Sequence, residues 1–125
     1  MNFGSVIPGA TKTARGSIPL TRNVGVTFTL PSGANTGLLT RTGTGTQPTL
    51  QPTFTCGVAA NNTDAASAWV ATFSACNVAS PTSASLTAPS ATTTQHLIFD
   101  GTLVTTTATQ PGTYTGSIRI TATAN

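Results

Sequence analysis

Few side chains in this sequence could perform acid–base, nucleophilic or metal chemistry. Its 125 residues include one His, two Asp, one Lys and no Glu. Paired carboxylates for glycoside hydrolysis would have to be Asp64 and Asp100, and Asp100 precedes Gly101 in a dipeptide suited to a tight turn. A Ser/His/Asp triad would draw on His96, but the sequence lacks a G-x-S-x-G nucleophile motif, and His96 lacks cysteines at zinc-ligand spacing. We therefore expect no enzyme and no cofactor or metal site.

The charges are sparse and scattered. The formal net charge is +3, and it comes from Lys12, Arg15, Arg22, Arg41, Arg119, Asp64 and Asp100. A nucleic-acid interface needs clustered cations, so we expect no nucleic-acid partner. The sequence contains no run of 18 apolar residues, and we expect no membrane span.

Two cysteines, Cys56 and Cys76, fit a single disulfide formed in an oxidising compartment. A bridge closing a loop of about 20 residues would stabilise the fold by roughly 3 kcal/mol. Two unpaired buried thiols remain the alternative. The disulfide would fit a secreted or surface-exposed protein.

Composition and alternation together predict an all-β fold. Thr accounts for 29 residues, while good helix formers are nearly absent. Near the C-terminus, Tyr114, Gly116, Ile118, Ile120 and Ala122 fall on one face of a predicted strand. The same patterning predicts strands at 2–7, 16–20, 24–30, 50–58, 96–100, 103–107 and 112–123, with a weaker one at 85–88. This spacing predicts a single β-sandwich domain over residues 1–125.

Turn and breaker residues refine this prediction. Asp100-Gly101 predicts a hairpin between two strands, and Pro48 and Pro52 favour an edge position for the strand at 50–58. Residues 65–78 favour a strand, although Trp69, Phe73 and Cys76 also have helical spacing.

Several segments occur in an order that resembles the spore coat protein U family, which includes subunits of archaic chaperone-usher pili. They are residues 3–6 (FGSV), 16–21 (GSIPLT), 26–33 (VTFTLPSG), Arg41 and 112–115 (GTYT). The resemblance implies an immunoglobulin-like β-sandwich of about seven strands that is incomplete and is completed by a donor strand.

The same resemblance implies partners and a location. The partners would be neighbouring pilus subunits, a periplasmic chaperone and an outer-membrane usher. The protein would reach the cell surface through the periplasm and form a fimbria with a role in adhesion and biofilm formation. A strand-acceptor groove would be lined by Phe3, Val6, Tyr114, Ile118 and Ile120. Because Met1 and Asn2 alone precede the first predicted strand, we expect the donor extension to have been removed, or this domain to receive a strand without giving one.

A second hypothesis is a self-complete β-sandwich that binds a ligand. It would be a carbohydrate-binding adhesin or a decoration domain on a phage or viral particle. Trp69 would then be a ligand contact, since an exposed aromatic ring can stack on a sugar. A buried Trp69 in the sandwich core is the alternative.

Overall fold

The structure is a computed structural model that describes residues 2–30, 37–44, 48–73 and 82–125. Within these ranges the chain forms ten strands, one short 3-10 helix at Ala66–Ala68 and no α-helix. The strands are β1 (Thr11–Arg22), β2 (Val26–Leu30), β3 (Leu39–Arg41), β4 (Thr49–Leu50), β5 (Thr53–Ala59), β6 (Ala71–Thr72), β7 (Thr82–Leu86), β8 (Thr93–Val104), β9 (Tyr114–Thr115) and β10 (Thr121–Ala124). The predicted all-β class is therefore confirmed. None of the helical residues described here forms a segment long and apolar enough to cross a bilayer.

The strands form three antiparallel sheets. The first has the order β1-β8-β5-β6, the second β10-β2-β7 and the third β4-β3-β9. The long strand β8 pairs over its whole length with β1 and over most of it with β5, so it organises the first sheet.

The main core lies between the first and second sheets. Alternation sends one face of each strand inward, so β5 and β8 contribute one layer and β2 and β7 the other. The buried members are Val26, Phe28, Phe54, Cys56, Val58, Phe73, Leu86, Leu97 and Phe99. The rings of Phe28 and Phe73 are 5.9 Å apart and tilted by 35°. This face-to-face packing is that of a β-sandwich.

A second, smaller core lies beneath the third sheet. It consists of Val6, Leu39, Leu103 and Tyr114, with Phe3 and Leu50 packed against it. Leu103 belongs to β8 and Tyr114 to β9, so this cluster joins the end of the first sheet to the third.

The predicted hairpin at Asp100-Gly101 is wrong, because β8 continues through both residues to Val104. Arg15 of β1 lies opposite Asp100 and donates two hydrogen bonds of 2.6 Å to its carboxylate. These hydrogen bonds raise the pKa of Arg15 above its ordinary value. Gly101 is buried, and β1 and β5 flank it. Pairing on both sides keeps the chain extended where the dipeptide alone favours a turn.

The predicted edge position of the strand at 50–58 is also wrong. β5 begins at Thr53, after Pro52, and lies between β8 and β6. The proline precedes the ladder and so removes none of the hydrogen bonds that β5 makes within it. Leu50, the first residue of the predicted strand, lies in the separate short strand β4.

The two chain ends contain less strand than alternation predicted. Residues 2–7 contribute an isolated bridge, Val6 to Gly112, and residues 112–123 divide into β9 and β10. The predicted burial of alternate residues nevertheless holds from Tyr114 to Ile120, apart from Gly116. In the ambiguous segment 65–78, Ala66–Ala68 is a 3-10 helix and Ala71–Thr72 is a strand, while residues 74–78 lie outside the described residues.

Candidate functional site

The first wall of the candidate site is strand β1, which forms one edge of the first sheet. Among the described strands it pairs with β8 alone, in a continuous register from Thr11 to Arg22. An edge strand directs alternate N–H and C=O groups away from its neighbour, which makes it a template for another strand. Pro19 lies in this edge and has no N–H to offer, as is typical of edge positions. The available edge therefore lies mainly between Thr11 and Ile18.

Ile18 faces the core side of the sheet but is not covered there. Its cross-strand partner is Leu97. Gly16, two residues earlier in β1, pairs with Phe99. Leu97 and Phe99 are 2% and 4% exposed, whereas Ile18 is 49% exposed. Since directly opposed residues share a face, Ile18 faces the interior of a sandwich that is open at this edge.

The second wall is the segment 116–120, which connects β9 to β10. Ile118 and Ile120 are partly buried and pack against the main core. The carbonyl oxygen of Ser117 accepts a 2.7 Å hydrogen bond from the N–H of Gly37, which attaches this segment to the chain before β3.

The second sheet also has an edge strand with exposed inward-facing residues. Ala122 and Ala124 of β10 are exposed, although their partners in β2, Phe28 and Val26, are buried. β10 is an edge strand of its sheet, as β1 is of the first. Each of these two sheets therefore has an edge strand with exposed side chains on its inward-facing side.

Between these two walls lies an apolar groove with a cavity volume of about 370 Å³. Its floor is formed by core side chains, and its walls by β1 and the segment 116–120. The lining residues are Phe3, Gly16, Ser17, Ile18, Gly37, Leu39, Phe54, Phe99, Gly116, Ser117, Ile118 and Ile120. A shallower cavity continues along Ile18, Ile118 and Ile120 and includes Arg119. We call the whole feature the open groove.

Two glycines allow close packing of the chain around the open groove. Gly37 has φ of +80°, and a Cβ there would lie 2.6 Å from Cε2 of Phe54. A Cβ on Gly116 would collide with the carbonyl oxygen of Leu38. Both positions thus require glycine for backbone geometry or for close packing.

Three of the five residues predicted for an acceptor groove line the open groove: Phe3, Ile118 and Ile120. Val6 is buried in the second core. Tyr114 is also buried there, and its hydroxyl donates a 2.8 Å hydrogen bond to the carbonyl oxygen of Gln110. It lines a neighbouring cavity together with Phe3. Val6 and Tyr114 therefore belong to the second core and do not line the open groove.

Several groove residues were missed by sequence reasoning. The groove lining also includes Ile18, Leu39, Phe54 and Phe99. Only for Ile18 does the local sequence indicate a position at a sheet edge. Ile18 lies in the predicted strand at 16–20 directly before Pro19, and a proline indicates an edge. The other three are ordinary strand apolar residues whose position at an opening depends on the tertiary fold.

Trp69 lies away from the groove, in a third cluster with Ala59 and Ile98. It is 9% exposed, and its indole N–H donates a 3.1 Å hydrogen bond to the carbonyl oxygen of Asp64. Its ring lies directly above Gly57, where a Cβ would collide with it. The ring therefore covers the outer face of the first sheet, and stacking on a sugar would require it to leave this cluster.

Cys56 is fully buried in the main core and is disulfide-bonded. Its predicted partner, Cys76, lies outside the described residues, so the pairing stays a prediction. Cys56 is adjacent to Phe99 across the β5–β8 ladder. The disulfide sulfur is thus part of the layer that forms the groove floor.

The titratable groups considered in the sequence do not converge. Asp100 is paired with Arg15, and His96 lies four residues away along β8, about 13 Å at the usual strand rise. His96 is half-buried, and its Nδ1 has no hydrogen-bond partner among the described residues. The charged side chain beside the groove is Arg119, and none of the residues that line the groove is acidic. The groove environment is apolar with a slight positive bias.

Comparisons of the chain with protein-family models, curated proteins and solved structures found no match. The functional inference therefore depends on the shape, composition and exposed edge of the open groove.

Proposed function

We propose that this protein is a structural subunit of a bacterial surface fibre and that the open groove accepts a β-strand from a neighbouring subunit. The observation that carries the proposal is the exposure of Ile18, an inward-facing side chain on an edge strand. A strand laid beside β1 would pair with its free edge and cover this side chain. Both requirements of β-strand addition, an available edge and an apolar surface for alternate side chains, are present in one place.

The energetics favour an apolar donor. Main-chain hydrogen bonds to β1 contribute about 0.5–1.5 kcal/mol each. Each well-buried aliphatic or aromatic side chain of the donor adds about 1.5–3 kcal/mol. A donor with alternating apolar residues would at the same time cover Ile18 on one wall and Ile118 and Ile120 on the other, which removes these side chains from water.

The biological setting of the proposal follows from the resemblance to spore coat protein U subunits. A periplasmic chaperone would hold the groove during export, an outer-membrane usher would exchange the chaperone for the next subunit, and the fibre would act in adhesion and biofilm formation. The proposal thus places the mature protein at the cell surface.

The test is a melting-temperature measurement of the purified domain with and without strand peptides. One peptide alternates Val and Thr over about nine residues, and a second copies the N-terminal extension of the genomic neighbour. We expect either to raise the melting temperature in proportion to log concentration, because binding to the folded state stabilises it. A Ser/Thr peptide of equal length is the matched control. A domain that neither apolar peptide stabilises would contradict the proposal and favour a self-complete binding module.

A further inference from the structure

We propose that Arg22 is the centre of an oxyanion-binding site at one end of the sandwich. The site would take a small free ligand of the phosphate or carboxylate class. It is separate from strand acceptance, because Arg22 does not line the open groove.

Arg22 is a buried cation at the C-terminal end of β1. It is 8% exposed, and it faces the core side of the first sheet, because it lies an even number of residues from Ile18 in the same strand. Burial removes most of the water that would solvate a guanidinium charge. The charge therefore needs compensation from its surroundings.

Neither carboxylate side chain of the sequence compensates Arg22. The chain has two acidic residues, Asp64 and Asp100. Asp100 forms an ion pair with Arg15 on the outer face of the first sheet. The carboxylate of Asp64 accepts hydrogen bonds from the backbone and side-chain N–H groups of Asn61. A second copy of the chain would bring the same two engaged carboxylates, so an anion that compensates Arg22 would be a ligand.

The acceptors that Arg22 does contact are neutral, and they use part of its guanidinium. Nε donates a 3.1 Å hydrogen bond to Oε1 of Gln95, and Nη1 donates to the carbonyl oxygens of Val24 and Thr87 at 3.1 and 2.5 Å. Val24 lies in the connection from β1 to β2, and Thr87 lies in the connection from β7 to β8. Both connections between the two main sheets thus meet at this guanidinium, and their carbonyl groups fix its orientation.

The second terminal nitrogen, Nη2, remains available to a ligand. It makes no hydrogen bond within the described residues, yet it is not one of the fully buried atoms left unpaired there. Nη2 therefore reaches the surface. A guanidinium carries two N–H groups on this nitrogen, and a ligand from solvent can accept from them.

Thr93 supplies a second donor beside this cation. It is directly opposite Arg22 in the β1–β8 ladder, so the two side chains are neighbours on one face of the sheet. Thr93 is half-buried, and its hydroxyl makes no hydrogen bond within the part of the chain that the structure describes. An uncompensated positive charge beside an unused hydroxyl matches the oxygen atoms of a phosphate or a carboxylate.

The test is an NMR titration in which inorganic phosphate or acetate replaces chloride at constant ionic strength. The Nε–H signal of Arg22 is followed, and it is identified by its loss in Arg22→Gln. We expect this signal to shift saturably. Saturation by phosphate alone would assign a phosphate-class ligand, and saturation by acetate as well would extend the class to carboxylates. A signal that does not shift, or that shifts linearly without saturating, would overturn the proposal.

Thr93→Val keeps the three hydrogen bonds of Arg22 and removes the neighbouring hydroxyl. We expect it to weaken binding of the saturating anion about two- to tenfold. Unchanged affinity would overturn the two-donor site. This variant and the wild-type titration decide the proposal even where Arg22→Gln fails to fold.

Arg119→Gln is the matched control, since it removes one exposed positive charge away from this site. Its affinity for the anion should equal that of the wild-type domain, whereas Arg22→Gln should lose saturable binding. Melting temperatures should show the same difference above the general stabilisation that phosphate gives to every variant. An equal loss in Arg119→Gln would show that net charge is responsible and would overturn the site.

Discussion

Ile18 and Leu97 are directly opposed in neighbouring antiparallel strands, yet Ile18 is 49% exposed and Leu97 is 2% exposed. A pair on one face of a sheet ordinarily shares its environment. This difference in exposure shows that the interior of the sandwich is uncovered next to Ile18 of β1. In the proposed function, the donor strand is added along this part of β1.

The substitution Ile18→Asp should abolish peptide stabilisation while leaving the free domain nearly unchanged. A carboxylate at this position would be buried by an incoming strand without a partner, which costs several kcal/mol. In the free domain the side chain is half exposed, so we expect a small shift in melting temperature. Thermal unfolding with and without the Val/Thr peptide measures both effects.

Val104→Asp is the control for this experiment. Val104 is 67% exposed, lies in the same sheet and is a β-branched apolar residue outside the groove lining. It should leave peptide stabilisation intact. An equal loss in both variants would show that added charge, and not groove occupancy, is responsible.

Gly57→Ala should destabilise the domain strongly. A Cβ on Gly57 would collide with the ring of Trp69 and with the carbonyl oxygen of Ala71. Overpacking of this kind costs about 1–3 kcal/mol, because the ring has to leave its position over the sheet. Denaturant unfolding, with Thr55→Ala as a control on the same face of β5, provides the comparison. A change below about 0.5 kcal/mol would show that Trp69 adjusts freely.

Tyr114→Phe should lower stability by about 1 kcal/mol without altering peptide binding. The substitution removes the hydroxyl that donates to the carbonyl oxygen of Gln110, but it keeps the ring in the second core. Denaturant unfolding and peptide titration measure the two quantities separately. Loss of peptide binding would mean that Tyr114 contacts the donor directly, as the sequence prediction placed it.

Reduction of the disulfide should lower stability by roughly 3 kcal/mol if Cys56 is bridged to Cys76 across about 20 residues. Cys56 is fully buried, so the bond should resist reductant in the native protein and open on unfolding. Thiol titration of the denatured, unreduced protein should find no free thiol. Two reactive thiols would contradict the predicted pairing.

Local patterning predicted the fold class and several strands. Alternation located β2 within the strand expected at 24–30, and the burial of Ile118 and Ile120 follows their parity. Such inferences succeed because inward and outward faces depend on neighbours within a few residues.

Long-range pairing explains where local patterning failed. Asp100-Gly101 favours a turn by itself, but pairing with β1 and β5 keeps it extended, and Arg15, 85 residues away in sequence, also binds the Asp100 carboxylate. The exposure of Ile18 could not be predicted either. It arises because no described strand lies beside the outer edge of β1, and this depends on the tertiary fold. Phe54 and Phe99 became groove residues only through the order β1-β8-β5.

Hydrogen exchange of the backbone amides would show whether an added strand pairs with β1. The purified domain is compared with and without a saturating strand peptide, and protection is followed in β1 and in residues 116–120. We predict new protection at alternate amides between Thr11 and Ile18, where an added strand would pair with the free edge. Stabilisation by the peptide with unchanged exchange along β1 would contradict strand addition at the open groove.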